Sequence, residues 1–162
     1  MQEIERKFLV QPEELPHDLG THPAIDILQG YLAIGQDGTE VRLRQAGDHH
    51  FLTVKSSGGL VRCEVEIALS SQQFEELWPL TAGRRVEKVR RLIPHAGMTI
   101  ELDLYRGQLQ GLALAEVEFD SPAASEGFTP PAWFGEDVTQ DGRYKNKNLA
   151  VKGFPGNEDG TV

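Results

Sequence analysis

The chain has 162 residues, the length of a single domain, and its formal net charge of −9 excludes the overall basic field with which proteins bind duplex DNA or RNA. Its one cysteine, Cys63, excludes an internal disulfide and a cysteine-based zinc site. The N-terminus shows no signal-peptide pattern and no apolar run is long enough to span a bilayer, so we expect a cytoplasmic protein without membrane contact. Residues 1–152 are expected to form the domain, and residues 153–162 a disordered tail.

Alternating apolar and polar residues predict about eight strands, most of them joined by short turns. Segment 11–24 is rich in proline and is predicted to be a loop with at most a short helical turn. A helix is predicted from Ser70 or Ser71 to about Pro79, a second short helix at 122–127, and a final helical turn at 142–150. The predicted strands are 2–10, 26–34, 39–46, 50–55, 60–69, 84–93, 98–105 and 113–120.

Charged residues recur at every second position of these strands, so each strand has one charged and one aliphatic face. Glu3, Glu5 and Lys7 begin the pattern, with Ile4 and Phe8 on the opposite face. The same alternation gives Arg42 with Arg44, Thr53 with Lys55, Arg62 with Glu64 and Glu66, Lys88 with Arg90, Glu101 with Asp103, and Glu116 with Glu118. Cys63 falls on an aliphatic face and is predicted to be a small core residue.

Two arrangements fit this alternation: the charged faces are the solvated side of an open antiparallel sheet, or they line a water-filled lumen. Charges of one sign cluster within a strand, as in Glu116 with Glu118. Like charges ~4–5 Å apart repel by up to a few kcal/mol at an effective dielectric constant of ~20, so solubility alone would not select such clusters. We therefore predict an α+β (mainly β) protein, an eight-stranded antiparallel β-barrel tunnel with a charged lumen and short helices packed outside.

Acidic and basic rows that face one lumen indicate phosphate chemistry. Oxygen ligands without histidine or cysteine suit Mg²⁺ or Mn²⁺, and magnesium commonly binds one or two carboxylates together with substrate phosphates. Arginine forks bind phosphate oxygens bidentately, whereas lysine acts as a point charge. The sequence thus predicts a small-molecule polyphosphate ligand and a divalent cation, Mg²⁺ with Mn²⁺ as the alternative.

The ordered set of charged residues resembles the signature of the CYTH superfamily, the triphosphate tunnel metalloenzymes, over residues 2 to about 150. Glu3-x-Glu5-x-Lys7 begins this signature, Arg143 to Asn146 ends it, and Gln29 to Leu32 is similar to the short bacterial tripolyphosphatases. The resemblance implies an eight-stranded antiparallel tunnel. It implies that triphosphate is bound by Lys7, Arg42, Arg44, Lys55, Arg62, Lys88 and Arg90, with Lys145 or Lys147 closing the tunnel. It implies metal ligands among Glu3, Glu5, Asp103, Glu116 and Glu118, with Glu64 and Glu66 as further candidates.

The activity that the resemblance implies is metal-dependent hydrolysis of inorganic triphosphate to pyrophosphate and phosphate. We expect Tyr31 to orient or deprotonate the attacking water, because the ammonium of Lys55 would favour an ionised phenol; the alternative is that Tyr31 is only an amphipathic wall residue. A class IV-type adenylyl cyclase, a thiamine triphosphatase and a non-enzymatic polyphosphate-binding module stay open as alternatives, and so does a homodimer.

Overall fold

A computed structural model describes residues 4–56 and 63–156 of the chain. Its main element is an eight-stranded sheet in which all neighbouring strands are antiparallel, as predicted. The strands are β1 (Ile4–Leu9), β2 (Ala24–Ile34), β3 (Glu40–Ala46), β4 (His49–Lys55), β5 (Glu64–Leu69), β6 (Arg85–His95), β7 (Met98–Tyr105) and β8 (Ala113–Phe119). The predicted loop runs to residue 23, because β2 begins at Ala24, and it contains two single 3₁₀ turns, at Pro12–Glu14 and Leu19–Thr21.

Three short helices accompany the sheet: α1 (Ser71–Leu77), α2 (Pro122–Glu126) and α3 (Asn146–Lys152). The predicted start of α1 is confirmed, because Ser70 forms a capping box in which its side chain accepts from the Gln73 N–H and the Gln73 side chain accepts from the Ser70 N–H. None of the helices in the described part of the chain has the length and hydropathy that a membrane crossing requires.

The strand order is β1-β8-β7-β6-β2-β3-β4-β5, so β1 and β5 are the two end strands. Within the described residues these two strands are not paired with each other, and the sheet therefore has two edges instead of the closed ring of hydrogen bonds expected for a barrel. The edge of β1 is covered by a segment that follows α2. Leu9 N–H donates to the Glu136 carbonyl, Gly135 N–H to the Leu9 carbonyl, and Val138 N–H to the Lys7 carbonyl.

The aliphatic face of the sheet holds the larger apolar core. Phe8, Leu102 and Val117 are buried there, and the segment after α2 packs against them through Phe128 and Phe134. Trp133 also packs against this cluster. The prediction that Cys63 is a core residue is wrong: the thiol is exposed, because Cys63 precedes β5, where the side chains lie largely open to solvent.

A second apolar cluster lies at one end of the opposite face. Tyr31, Val86 and Tyr105 belong to it, together with Leu149 of α3. The helices are therefore divided between the faces: α1 and α2 cover the aliphatic face as predicted, whereas α3 packs on the face that also carries the charges. Phe154 packs against the same cluster, so ordered packing continues past Lys152, while residues 157–162 of the predicted tail lie outside the described residues.

Candidate active site

The registers of the seven strand pairs place the predicted site residues on one face of the sheet, which we call the charged face. Lys7 is opposite Glu116 and Glu116 is opposite Glu101, so β1, β8 and β7 contribute to the same face. The residues of the charged face are Glu5, Lys7, Tyr31, Arg42, Arg44, Lys55, Glu64, Glu66, Lys88, Arg90, Glu101, Asp103, Glu116 and Glu118. Glu3 and Arg62, which were also predicted for the site, lie outside the described residues.

The central part of the charged face is withdrawn from solvent. Lys88 is 2% exposed and Asp103 is 0% exposed, and Lys7 and Glu116 are also buried. Side chains on the solvated side of an open sheet would be accessible, so for the central strands that alternative is excluded. The exception is β5, whose Glu64 and Glu66 are exposed at the sheet edge.

Asp103 of β7 is the centre of a buried ion cluster. Its carboxylate accepts from Lys88 Nζ at 2.6 Å, from Arg90 Nε at 2.7 Å and from Arg90 Nη2 at 2.8 Å. Burial alone would raise the pKa of Asp103, but the two cations outweigh that effect and hold the pKa below its usual value. Asp103 is therefore ionised at neutral pH and ties together two of the predicted triphosphate-binding residues.

Glu116 of β8 links this cluster to β1. Its Oε1 lies 3.2 Å from Lys7 Nζ, and its Oε2 lies 3.5 Å from Arg90 Nη2. Arg90 also forms an ion pair with Glu101. The predicted cations Lys7, Lys88 and Arg90 are thus all balanced by carboxylates of neighbouring strands.

Arg42 and Arg44 on β3 differ from these cations. Within the described residues neither guanidinium forms an ion pair with a carboxylate, and the Nε atom of each is buried without a hydrogen-bond partner. Burial lowers the pKa of Arg44, and the nearby charges of Arg90 and Arg42 lower it further, against the raising effect of Asp103 and Glu101. Half-buried guanidinium groups without a direct ion-pair partner are costly, so this part of the charged face has the donor chemistry that an anion requires.

Tyr31 is brought to the same region by β2, directly opposite Arg42 and just before a β-bulge. Its hydroxyl accepts from Gln29 Nε2 at 2.9 Å, and both side chains are buried. Burial raises the pKa of Tyr31 to about 12, against the lowering effect of the Arg42 charge. Arg42 is thus a cation that favours ionisation of this phenol, but the pKa shift is upward, opposite to the direction expected from Lys55.

Lys55 instead pairs with Glu64 of the edge strand, with 3.5 Å between Nζ and Oε2. Glu66 is similarly engaged, because its Oε2 accepts from the Thr53 hydroxyl at 3.3 Å. Strand β5 is at the opposite end of the sheet order from β1, so these two glutamates are separated along the sheet from Glu5, Glu116 and Glu118.

The C-terminal segment reaches the charged face at three points. Lys7 Nζ donates to the Tyr144 carbonyl at 3.2 Å, the Tyr105 hydroxyl donates to Asn146 Oδ1 at 2.7 Å, and Lys147 Nζ lies 2.9 Å from Glu40 Oε1. Of the two candidate lysines, Lys147 thus contacts the charged face, whereas Lys145 is exposed at the start of α3.

The carboxylates at the β1, β8 and β7 end have the chemistry that a hard divalent cation requires. Glu5 is opposite Glu118 in the register, and Glu101 is opposite Glu116. Burial raises the pKa of Glu101 and, although Arg90 opposes this, Glu116, Asp103 and Glu118 raise it further. The donor types therefore fit Mg²⁺, although no three acidic, histidine or cysteine side chains of the described residues converge closely enough to form a ready-made metal site.

Sequence reasoning did not assign roles to several residues that the structure places at this site. Glu101 pairs with Arg90, Glu40 with Lys147, and Gln29 with Tyr31. Glu101 and Gln29 each lie two positions before a predicted site residue, and this spacing is the signal that could have identified them. The contacts of Tyr144 and Asn146 depend on where α3 packs, for which the sequence has no equivalent signal.

An eight-stranded antiparallel sheet with acidic and basic rows on one largely buried face is the arrangement expected of a triphosphate tunnel protein. The CYTH domain model matches residues 1–153. The chain is 52% identical over 155 residues to an inorganic triphosphatase from Nitrosomonas europaea, covering 93% of this chain and 98% of that protein. It is 34% identical over 149 residues to an inorganic triphosphatase from Acetivibrio thermocellus, covering 91% and 92% of the two chains.

Among solved structures, the crystal structure of the inorganic triphosphatase NE1496 matches with a TM-score of 0.75 and 49% identity, covering 93% of this chain and 95% of that one. The family model spans nearly the whole domain and the sequence relatives are matched over almost their full length. The chain therefore belongs to the CYTH family.

Proposed function

We propose that this protein is an inorganic triphosphatase, which hydrolyses tripolyphosphate to pyrophosphate and phosphate on the charged face of its sheet. The observation that carries the proposal is the pair Arg42 and Arg44, two partly buried arginines that form no ion pair with a carboxylate in the described part of the chain and whose Nε atoms have no hydrogen-bond partner there. The names of the relatives in Nitrosomonas europaea and Acetivibrio thermocellus support the same substrate.

The distribution of charge along the face explains how a triphosphate would bind. Arg42 and Arg44 offer guanidinium forks to phosphate oxygens without first having to leave a carboxylate. Lys88 and Arg90 lie on β6, separated from β3 by β2, and are held in place by Asp103. A chain of three phosphates can therefore contact the free arginines and the fixed cations together.

Phosphoryl transfer depends on position and on charge neutralisation more than on covalent catalysis. The buried cations would neutralise charge that develops on the transferred phosphoryl group, in surroundings where water is largely excluded. Lys7 and Lys147 would contribute at the end of the site where the C-terminal segment packs. Lys55 and the predicted Arg62 would contribute from the β4 and β5 end.

Mg²⁺ is the proposed cofactor, with Mn²⁺ as an alternative, and would be held by Glu5, Glu101, Glu116 and Glu118, with Glu3 as a further predicted ligand. When bound, the cation would polarise phosphate oxygens and neutralise their charge. Burial raises the pKa of Glu101 most, and repulsion from Glu116 and Glu118 adds to it; a divalent cation would relieve that repulsion, which supports this assignment.

The identity of the group that activates water stays a prediction. A phenol whose pKa is about 12 is ionised in only about one molecule in 10⁵ at pH 7, so Tyr31 is better suited to orient water or phosphate as a hydrogen-bond donor. Gln29 occupies a lone pair of the hydroxyl oxygen and so leaves the phenolic proton free to point elsewhere. A cytoplasmic location, the absence of a nucleic-acid partner and a homodimer likewise stay predictions.

Release of phosphate from tripolyphosphate, ATP and thiamine triphosphate, each with Mg²⁺, Mn²⁺ or a chelator, tests the proposal. We expect metal-dependent turnover with a strong preference for tripolyphosphate, and loss of that turnover in the double variant Arg42→Gln/Arg44→Gln. Arg106→Gln is the matched control, because Arg106 is an exposed arginine paired with Asp26. Formation of cyclic AMP would support an adenylyl cyclase, preference for thiamine triphosphate a thiamine triphosphatase, and tight binding without turnover a binding module.

A further inference from the structure

Asp103 is the most enclosed carboxylate of the charged face. It is 0% exposed and accepts three charge-assisted hydrogen bonds, two from Arg90 and one from Lys88. A carboxylate has about four acceptor positions, so three of them are occupied by cations of the neighbouring strand β6. The remaining acceptor position is enclosed within the protein.

These contacts conflict with the metal-ligand role that the resemblance implies for Asp103. Magnesium requires near-ideal octahedral geometry and usually retains several waters, so its protein ligands need access to a hydrated cation. Asp103 lacks that access, whereas Glu5 and Glu118 are exposed on the same face. Binding a metal at Asp103 would also deprive the buried Lys88 of its counter-charge, and an unpaired buried ammonium is strongly unfavourable.

We infer that Asp103 is a positioning residue that fixes Lys88 and Arg90 as one rigid pair of phosphate-binding cations, and that the divalent cation is held by other carboxylates. This inference rests on the proposed function for the identity of the anion. The Asp103 carboxylate binds Nε and Nη2 of Arg90 together, which fixes the plane of the guanidinium. It also holds Lys88 Nζ, which lies 5.4 Å from the centre of the Tyr105 ring.

The arrangement gives the two cations a fixed direction. Arg90 is oriented by Asp103 from β7, while its Nη1 forms an ion pair with Glu101 and its Nη2 also lies 3.5 Å from Glu116 Oε2. Lys88 has its ammonium confined between a carboxylate and an aromatic ring. Cations that are already oriented lose little conformational freedom when an anion binds, so their attraction for the phosphate chain is preserved.

The variant Asp103→Asn separates the two roles, because it removes the charge and keeps the shape. Binding of tripolyphosphate in the presence of a chelator is measured by calorimetry, and binding of Mn²⁺ by the electron paramagnetic resonance signal of the free ion. If Asp103 positions the cations, tripolyphosphate affinity falls by at least about tenfold and Mn²⁺ affinity changes by less than about twofold. Glu118→Gln is the comparison variant and should show the reverse pattern.

A loss of Mn²⁺ affinity in Asp103→Asn as large as in Glu118→Gln, with tripolyphosphate binding unchanged, would overturn the inference. If Asp103→Asn does not fold because Lys88 is left unpaired, the double variant Lys88→Gln/Asp103→Asn is measured instead. It removes one positive and one negative charge, so the net charge of the site is unchanged, and Arg90 stays paired with Glu101 and Glu116. Its Mn²⁺ affinity should equal that of the wild type, and a clear loss would likewise contradict the inference. Both readouts measure binding and not catalysis. A wild-type protein that does not hydrolyse tripolyphosphate would therefore contradict the proposed function without affecting this test of Asp103.

Discussion

Lys147 of α3 and Glu40 of β3 form an ion pair, with 2.9 Å between Nζ and Oε1. Both side chains are mostly buried, and Glu40 lies opposite Lys55 in the register, on the charged face. The C-terminal helix is thus joined electrostatically to the strand that carries Arg42 and Arg44. A triphosphate bound at those arginines would compete with Glu40 for the Lys147 ammonium.

The first prediction concerns Lys147→Ala. We expect the KM for tripolyphosphate to rise about tenfold, because an ammonium near the phosphate chain is lost, and the free energy of unfolding to fall by about 1–3 kcal/mol, because the mostly buried Glu40 loses this partner. Steady-state kinetics and urea unfolding measure the two effects. Lys152→Ala on the same helix is the control and should leave KM unchanged, and equal effects of the two substitutions would show that Lys147 has no particular role.

The second prediction concerns the free arginines. Arg42→Gln and Arg44→Gln should each weaken tripolyphosphate binding by about 1.5–3 kcal/mol, the range for hydrogen bonds to charged groups, which corresponds to roughly ten- to 150-fold. Neither should lower the free energy of unfolding appreciably, because neither arginine forms an ion pair with a described carboxylate. Calorimetry of binding and chemical denaturation test this, and a variant with reduced stability and unchanged affinity would contradict it.

The third prediction follows from the raised pKa of Tyr31. The folded protein holds the phenolic proton up to about pH 12, whereas the unfolded chain releases it near the ordinary tyrosine pKa of 10.0. The native state therefore binds more protons in this window, so the contribution of this group to stability is fully present below pH 10 and is lost as pH rises to 12. The difference in pKa corresponds to about 2.7 kcal/mol.

Tyr31→Phe should accordingly show a shallower loss of unfolding free energy between pH 10 and 12 than the wild type. Denaturant unfolding across that range measures the difference, and ultraviolet titration of tyrosinate reports the ionisation directly. Parallel curves of unfolding free energy against pH for the two proteins would contradict the prediction. So would a tyrosinate signal well below pH 10 that is present in the wild type and absent from Tyr31→Phe.

The fourth prediction concerns Glu101, whose pKa is raised above its ordinary value of 4.5. Burial is the main cause, and repulsion from Glu116, Asp103 and Glu118 adds to it, whereas the attraction of Arg90 opposes the shift. Since the folded state holds this proton more tightly, the ionised glutamate destabilises the metal-free protein as pH rises above 4.5. Glu101→Gln should therefore be at least as stable as the wild type at neutral pH, and the difference in unfolding free energy should develop as pH rises above 4.5.

The same substitution should weaken Mn²⁺ binding, because it removes one oxygen ligand of the proposed cation site. Thermal unfolding of the metal-free proteins against pH, together with Mn²⁺ titration, tests both effects. A variant that is less stable than the wild type at neutral pH would show that the ion pair with Arg90 outweighs burial and repulsion.

The sequence predicts the strands and the charged face because both depend on a local period of two. The registers confirm that Lys7, Arg44 and Arg90 share one face, as alternation requires. The position of α1 was also predictable, since Ser70 and Gln73 form a local capping motif. Such features are encoded by residues only a few positions apart.

Features that depend on distant packing could not be predicted. Burial of Tyr31 results from its contact with the cluster that includes Leu149, and this burial reverses the expected direction of its pKa shift. Likewise, alternation shows that Asp103 faces the site but gives no information on the distances to Lys88 and Arg90, which decide what the carboxylate can bind. The exposed position of Cys63 reflects the open edge at β5, which strand periodicity does not reveal.

The covering of β1 by residues 135–138 has a consequence for association between molecules. The backbone hydrogen bonds of Leu9 and Lys7 to this segment use the groups that an incoming strand from another molecule would need. Sheet growth from one molecule to the next is therefore blocked on that side, and the charged side chains Glu64 and Glu66 oppose it at β5. The two sheet edges thus oppose edge-to-edge association in different ways. At β1 the backbone hydrogen-bonding groups are already paired, and at β5 identical strands would repel each other electrostatically.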